Sequence, residues 1–199
     1  MSTTATTLDT AKARKAMIDS QLRTSGVNEE YVLARMMAVP REDFLPESKA
    51  PLAYIDRTVA VENGSLAAPL FYGKLLIEAA PVAEDCVLVV EGGTGYLAAL
   101  LGPLVTEIET VSADDAASGA KTKGEFTLIA IDGAVEQIPD SLTANLVEGG
   151  RIVSGLLLRQ VTRLAAGRKV AGHVALQPVE DLGIPVLHQF DKPKSWSFS

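Results

Sequence analysis

The chain has one cysteine, Cys86, and two histidines, His173 and His188, in 199 residues. A single cysteine allows no internal disulfide, and its place in an apolar run reads as a small buried hydrophobe in a protein of the reducing cytoplasm. The histidines are far apart and poorly accompanied, so no metal site is expected. No run of about 18 apolar residues is present to span a membrane. The opening MSTTATTLDT lacks the basic-then-apolar pattern of a signal peptide, so export is not expected. There is no basic excess either: 18 Lys and Arg face 25 Asp and Glu, a net charge of -7 that argues against general nucleic-acid binding. Internal repeats and low-complexity linkers are missing. What remains, 47% apolar residues, is enough for a sizeable core in one structural domain. Residues 1–80 read as a helical and connector segment packed on a core formed by 81–199.

Apolar positions Ala13, Met17, Ile18 and Leu22 recur at helical spacing from Leu8 to Arg23, with Gly26 as a stop. The Lys12, Arg14, Lys15 and Arg23 face of that helix reads as solvated, or as a contact for an acidic second subunit. Asn28 suits the N-cap of a second helix that Pro40 ends near Val39. The connector PREDFLPESKAPLAYIDRTVAV carries the apolar anchors Phe44, Leu45, Leu52 and Tyr54 and a short strand near Thr58–Val61. A helix is expected over Leu70–Ala80. The pattern then changes to strands over Cys86–Val90, Thr106–Val111, Phe126–Ile131 and Arg151–Leu157, alternating with helices over Tyr96–Leu101 and Pro139–Leu146. Such alternation implies a parallel α/β sheet with right-handed crossovers. Val161–Ala166 and Val170–Leu176 read as an antiparallel hairpin at one edge. Trp196 and Phe198 near the C-terminus read as a packing anchor, with partner binding as the alternative.

Between the first strand and the following helix stands Val90-Glu91-Gly92-Gly93-Thr94-Gly95-Tyr96. Glycines there let the backbone pass close to a ligand, and a helix starting just after them aims free N–H groups at it. The same turn can also serve only to join a strand to a helix; the motif alone leaves both readings open. Asp132 ends the Phe126–Ile131 strand, at the carboxyl edge where open α/β sheets bind ligands, but an Asp-Gly turn explains it equally.

The segments MIDSQLRTSGV, VLARMMAVPREDFLP, LAYIDR, GGTGYLAALLG and IDGAVEQIPDSLTANLVEGGRIV, in that order, resemble the protein-L-isoaspartate O-methyltransferase family. More closely, they resemble a bacterial subgroup bearing that name, from about Ala11 to Ser154, and PVLHQFDKPKSWSF resembles that subgroup's tail. The resemblance implies a Rossmann-like methyltransferase fold with N-terminal helices and S-adenosylmethionine as cofactor. It also implies methyl transfer to the carboxylate of a damaged aspartyl residue in a protein or peptide, as part of repair. The cofactor-binding positions it marks are Glu91, Gly92, Gly93, Thr94, Gly95, Tyr96, Ser112 and Asp132; Ser65 and Asp132 are the catalytic candidates.

Departures from the family pattern fall on those positions. The acidic residue before the glycine loop is replaced by Val89, and Glu91 stands where the first glycine is expected. Ser112 occupies the position of the carboxylate that holds the ribose hydroxyls, with Asp114 two residues on. A serine offers one weaker hydrogen bond where a carboxylate accepts two. The substrate-side Ile-Ser-Gln-Pro falls on Leu66-Ala67-Ala68-Pro69, which has no hydroxyl or amide to position a carboxylate. Finally, only Ser112 to Glu125 separate two parallel strands, about the length of one crossover. The third strand and its flanking helices are therefore expected to be missing, leaving the adenine pocket open or absent. Two outcomes follow: a methyltransferase of weak or lost activity, or a pseudoenzyme serving as an interaction or dimerisation module. A homodimer through the exposed sheet edge fits either.

Overall fold

The computed structural model describes residues 3–119 and 124–193, with side chains from residue 10 onward; Trp196 and Phe198 lie outside them. The chain begins with α1 (Thr3–Met17), which does not continue as an α-helix to Arg23. It widens into a π turn over Ile18–Leu22 and tightens into a 3-10 turn over Arg23–Ser25, stopping at Gly26 with φ 83°. The Ser20 and Thr24 hydroxyls donate to the carbonyls of Ala16 and Ser20, four residues back, and such bonds compete with the helical ladder. The expected basic face is split: Lys12, Lys15 and Arg23 are exposed. Arg14 docks instead on the connector, donating to the Tyr54 hydroxyl (2.7 Å), the Met37 carbonyl (2.9 Å) and Glu42 (3.1 Å). Helix α2 (Glu30–Ala38) has Glu29, not Asn28, at its N-cap, and ends before Pro40.

Two 3-10 turns, Arg41–Phe44 and Glu47–Leu52, carry the connector to an antiparallel hairpin that the sequence shows only in half. Its strands are β1 (Val59–Val61) and β2 (Gly64–Leu66). Helix α3 (Pro69–Ala79) follows, with its proline in the first turn, where no hydrogen bond is lost.

The core then alternates: β3 (Cys86–Glu91), α4 (Tyr96–Leu101), β4 (Glu107–Ser112), α5 (Ala113–Ser118), β5 (Phe126–Val135), α6 (Asp140–Ala144) and β6 (Leu146–Leu158). Helix α6 is shorter than expected, because Leu146 already opens a long strand. Strands β4, β3, β5 and β6 lie side by side in that order, all parallel. Strand β7 (Val161–Val170) runs antiparallel along β6, and β8 (His173–Val174) and β9 (Gln177–Asp181) both pair with its outer side. The expected edge hairpin is β7–β8, with β7 running on to Val170 and the pairing confined to Lys169 with Val174 and Val170 with His173; β6–β7 forms a longer antiparallel pair inside it.

The continuous apolar run in β3 has a simple cause. Val87 and Val89 face the core shared with α2, α3 and α4, while Leu88 and Val90 face a second core with Ile129, Ile131, Leu142 and Phe190. Alternation on a strand buried on both faces needs apolar residues everywhere. Strand β4 pairs only with β3 among the described residues, and only the short α5 follows it. The third strand expected outside it is missing, so the fold is a shortened Rossmann-like one.

Candidate functional site

The glycine turn sits at the carboxyl end of β3, bounded by the hairpin tip on one side and the start of α5 on another. Two of its glycines are required by the chain's own packing. A Cβ on Gly93 would overlap the Asn63 carbonyl, and one on Gly92 would overlap the Asp132 carbonyl. Gly64 in turn has room for no Cβ because the Gly92 carbonyl lies against it, and the Ser65 amide donates to that carbonyl at 3.0 Å. Only at Gly95, with φ 75°, would a Cβ meet open space.

Glu91 leaves the end of β3 and turns back over the loop. Its carboxylate accepts the Gly95 amide at 3.0 Å, at the start of α4. A donor that would face a ligand is therefore taken by the chain itself. Burial pushes the Glu91 pKa up, and that hydrogen bond offsets part of the rise. Ser112 is similarly engaged. It caps α5, accepting from the Asp115 amide (3.1 Å) and donating to the Asp115 carboxylate (2.7 Å). Thr94 accepts weakly from the Tyr96 amide at 3.4 Å.

A cavity of about 540 Å³ opens beside the turn, lined by Glu91, Gly92, Gly93, Ser112, Asp114 and the segment Val186–Gln189. That size suits a small-molecule ligand. The adenine pocket was expected to be open or absent; the cavity is partly walled by the tail. The C-terminal segment bends over the carboxyl edge: Val186 bridges to Ala134, Leu187 packs on Gly133, and Gln189 reaches Asp114 at 3.5 Å. The tail thus walls the cavity on the β5 and α5 side, a contact that its sequence does not announce.

Asp132 is neither a turn residue nor part of the cavity lining. It lies inside β5, 2% exposed, where the β5–β6 register shifts between Ala130 and Ala134. Tyr72 of α3 donates to its Oδ2 at 3.4 Å, and Oδ1 has no partner. Burial first, and then the charge of Glu91, raise its pKa to about 7, against opposing effects of Tyr72, Arg41 and the Gly92 amide. Next to it, Arg41 is fully buried. It donates to the carbonyls of Ala53 and Ala67 (both 2.7 Å) and lies over the rings of Tyr72 (5.4 Å) and Tyr96 (5.0 Å). Tyr96 is a core residue rather than a cavity residue: its ring packs edge-on to Phe44 and Tyr72. Sequence reasoning missed Arg41 and Tyr72, since a lone arginine in a connector and a tyrosine in an apolar helix carry no motif.

Ser65 meets the glycine turn through its backbone amide. It lines a separate cavity of about 690 Å³ on the far side of the hairpin, with Arg57, Thr58, Thr162 and Ile184. Ala67 and Ala68 bring no polar side chain to either cavity. Among the described residues no His, Cys, Asp and Glu cluster could hold a metal ion, and no helix is long and apolar enough to cross a membrane.

A parallel sheet with a glycine turn and a cavity at its carboxyl edge is a Rossmann-like arrangement. Comparison with known proteins narrows it. The family model for protein-L-isoaspartate(D-aspartate) O-methyltransferase (PCMT) matches residues 12–116. The chain is 31% identical over 193 residues to the protein-L-isoaspartate O-methyltransferase of Koribacter versatilis, covering 84% of this chain and 87% of that one. It is 33% identical over 162 residues to that of Rhodopseudomonas palustris, covering 69% and 74%. The chain belongs to the protein-L-isoaspartate O-methyltransferase family. Its fold is also that of a Plasmodium falciparum protein described as a beta-aspartate methyltransferase, solved in complex with S-adenosyl-L-homocysteine. That match has a TM-score of 0.67 and 16% identity, and covers 90% of this chain and 98% of the other.

Proposed function

We propose that this protein is a protein-L-isoaspartate O-methyltransferase-like protein of the cytoplasm that takes S-adenosylmethionine weakly and methylates protein carboxylates slowly or not at all. The observation that supports this reading best is Glu91, which stands at a glycine position and whose carboxylate takes the Gly95 amide at the start of α4. The cavity has room for the cofactor, so size is not the obstacle. The Gly92–Gly95 backbone, Ser112 and Asp114 would hold it, and Glu91 would lie near its charged end. When bound, S-adenosylmethionine supplies an electrophilic methyl group. The remaining work is to place an acceptor oxygen in line with it, and Ala67 and Ala68 have no group for that. Each 1 Å of misplacement can cost about a hundredfold in rate. Ser65, with its side chain in the other cavity, does not compensate.

The test is transfer of labelled methyl from S-adenosylmethionine to an isoaspartyl peptide, measured beside the Koribacter versatilis relative. Turnover at least about a hundredfold lower is expected. Turnover within about tenfold of the relative, equivalent to about 1.4 kcal/mol, would overturn the proposal. A second reading, a non-catalytic module that pairs with a second copy or another protein, is favoured by one observation: among the described residues β4 pairs with β3 and with no other strand. Sedimentation of the protein, alone and after charge substitutions on β4, tests that reading separately from turnover.

A further inference from the structure

The hairpin tip carries a reactive pair that the site's chemistry does not use. Residues 62 and 63 form the two-residue turn between β1 and β2, and Asn63 and Gly64 are both exposed. No hydrogen bond among the described residues holds the Asn63 carboxamide. The chain's other asparagines, Asn28 and Asn145, are followed by Glu29 and Leu146. Only Gly64 lacks the Cβ that hinders a backbone nitrogen from approaching the preceding side chain.

We propose that Asn63–Gly64 is a site of spontaneous covalent modification, converting Asn63 through a succinimide to an isoaspartyl residue and thereby unseating the hairpin tip from the glycine turn. The Gly64 backbone nitrogen attacks Asn63 Cγ, a C–N bond forms, and the carboxamide nitrogen leaves as ammonia. Water then opens either carbonyl of the ring, giving an aspartyl residue or an isoaspartyl one whose main chain runs through the β carbon. Water is the only co-reactant. In the isoaspartyl product, the Asn63 main-chain carbonyl becomes a free carboxylate and the main chain gains one carbon.

That carbonyl is the group seated on Gly93, and Gly64 is the residue seated on Gly92. A rerouted backbone cannot keep both contacts, and the new carboxylate faces a cavity that Glu91 and Asp114 also line. The Asp132–Gly133 pair, which could close the same ring, is an internal control. It is buried within β5 with Leu187 packed on Gly133, so ring closure is blocked there. The inference stands whether or not S-adenosylmethionine binds.

The experiment ages folded wild-type protein and the Asn63→Gln variant at mildly alkaline pH, then digests both with trypsin. The Thr58–Lys74 peptide reports on Asn63. In wild type it is expected to split into two products in which ammonia has been exchanged for water, the isoaspartyl one dominant, at least about tenfold faster than any change at Asn28 or Asn145. Aged wild type should melt lower than fresh protein, while Asn63→Gln keeps its own melting temperature throughout. An intact Asn63 in the folded protein, over a period in which the isolated Thr58–Lys74 peptide is converted, overturns the proposal. Modification without a change in melting temperature overturns the unseating. So does a fresh Asn63→Asp protein that melts as low as aged wild type, since charge without a rerouted backbone would then suffice.

Discussion

The floor and the rim of the glycine-turn site are built on different terms. The floor is a buried set of side chains, Arg41, Tyr72, Tyr96 and Asp132, that hold one another and the carbonyls of Ala53 and Ala67. The rim is Glu91 and Ser112, which line the cavity and accept backbone amides at the starts of α4 and α5. The floor is buried, so a change there costs stability, even though Arg41 Nη1, Tyr96 Oη and Asp132 Oδ1 have no hydrogen-bond partner among the described residues. Each rim side chain accepts a single backbone amide at a helix start, so it can change at a cost of about 1 kcal/mol without unfolding the protein. A site can therefore keep its family's outline while its binding groups are used for other purposes.

Breaking the floor should have the largest effect. Arg41→Ala strands two buried carbonyls and opens a hole beneath two aromatic rings; a loss of about 4 kcal/mol of stability is expected in urea denaturation. A loss under about 1 kcal/mol would mean the floor is no more demanding than the rim.

The pH dependence of stability is the next largest effect. Asp132 has a folded pKa of about 7, above its ordinary 3.8, so between those values the folded state holds a proton that the unfolded state has lost. Its contribution is fully present below about pH 4 and is lost as pH rises toward 7, by about 1.4 kcal/mol per pH unit. Asp85 and Glu42, whose pKa values are lowered by hydrogen bonds and charged partners despite burial, slope the other way. The readout is therefore the difference between wild type and Asp132→Asn, which should narrow across that window and level off above it. Glu91→Gln, which removes a neighbouring negative charge, should move the upper end of the window to lower pH.

Changes at the rim should be small. Glu91→Ala loses one such hydrogen bond and Ser112→Ala another, each expected to cost about 1 kcal/mol in thermal or urea denaturation. Glu91→Gly should leave affinity for S-adenosylmethionine within about tenfold of wild type, a change of at most about 1.4 kcal/mol. Recovery of tight binding by that single change would place the whole defect at Glu91.

The sequence shows the rim better than the floor. Glu91, Ser112 and the short link after Ser112 are visible because they sit in or beside motifs with fixed spacing. The parallel strands are visible because burial on both faces writes continuous apolar runs. Arg41 joins Ala53, Ala67, Tyr72 and Tyr96 only in three dimensions, and no local pattern announces such a contact. Asp132 reads as a turn because Asp-Gly is a turn pair, yet a shift in strand register carries it into the core. The C-terminal wall is hidden for the same reason: Leu187 and Gln189 find Gly133 and Asp114 across more than fifty positions. The π turn after Met17 follows from hydroxyls that bond back along the helix, a competition that apolar spacing does not register.

The central claim, that the rim no longer grips the cofactor, is tested most directly by calorimetric titration of the folded protein with S-adenosylmethionine and S-adenosyl-L-homocysteine. The account predicts dissociation constants weaker than about 100 μM for both. Binding of either near 1 μM, worth about 8 kcal/mol, would contradict it.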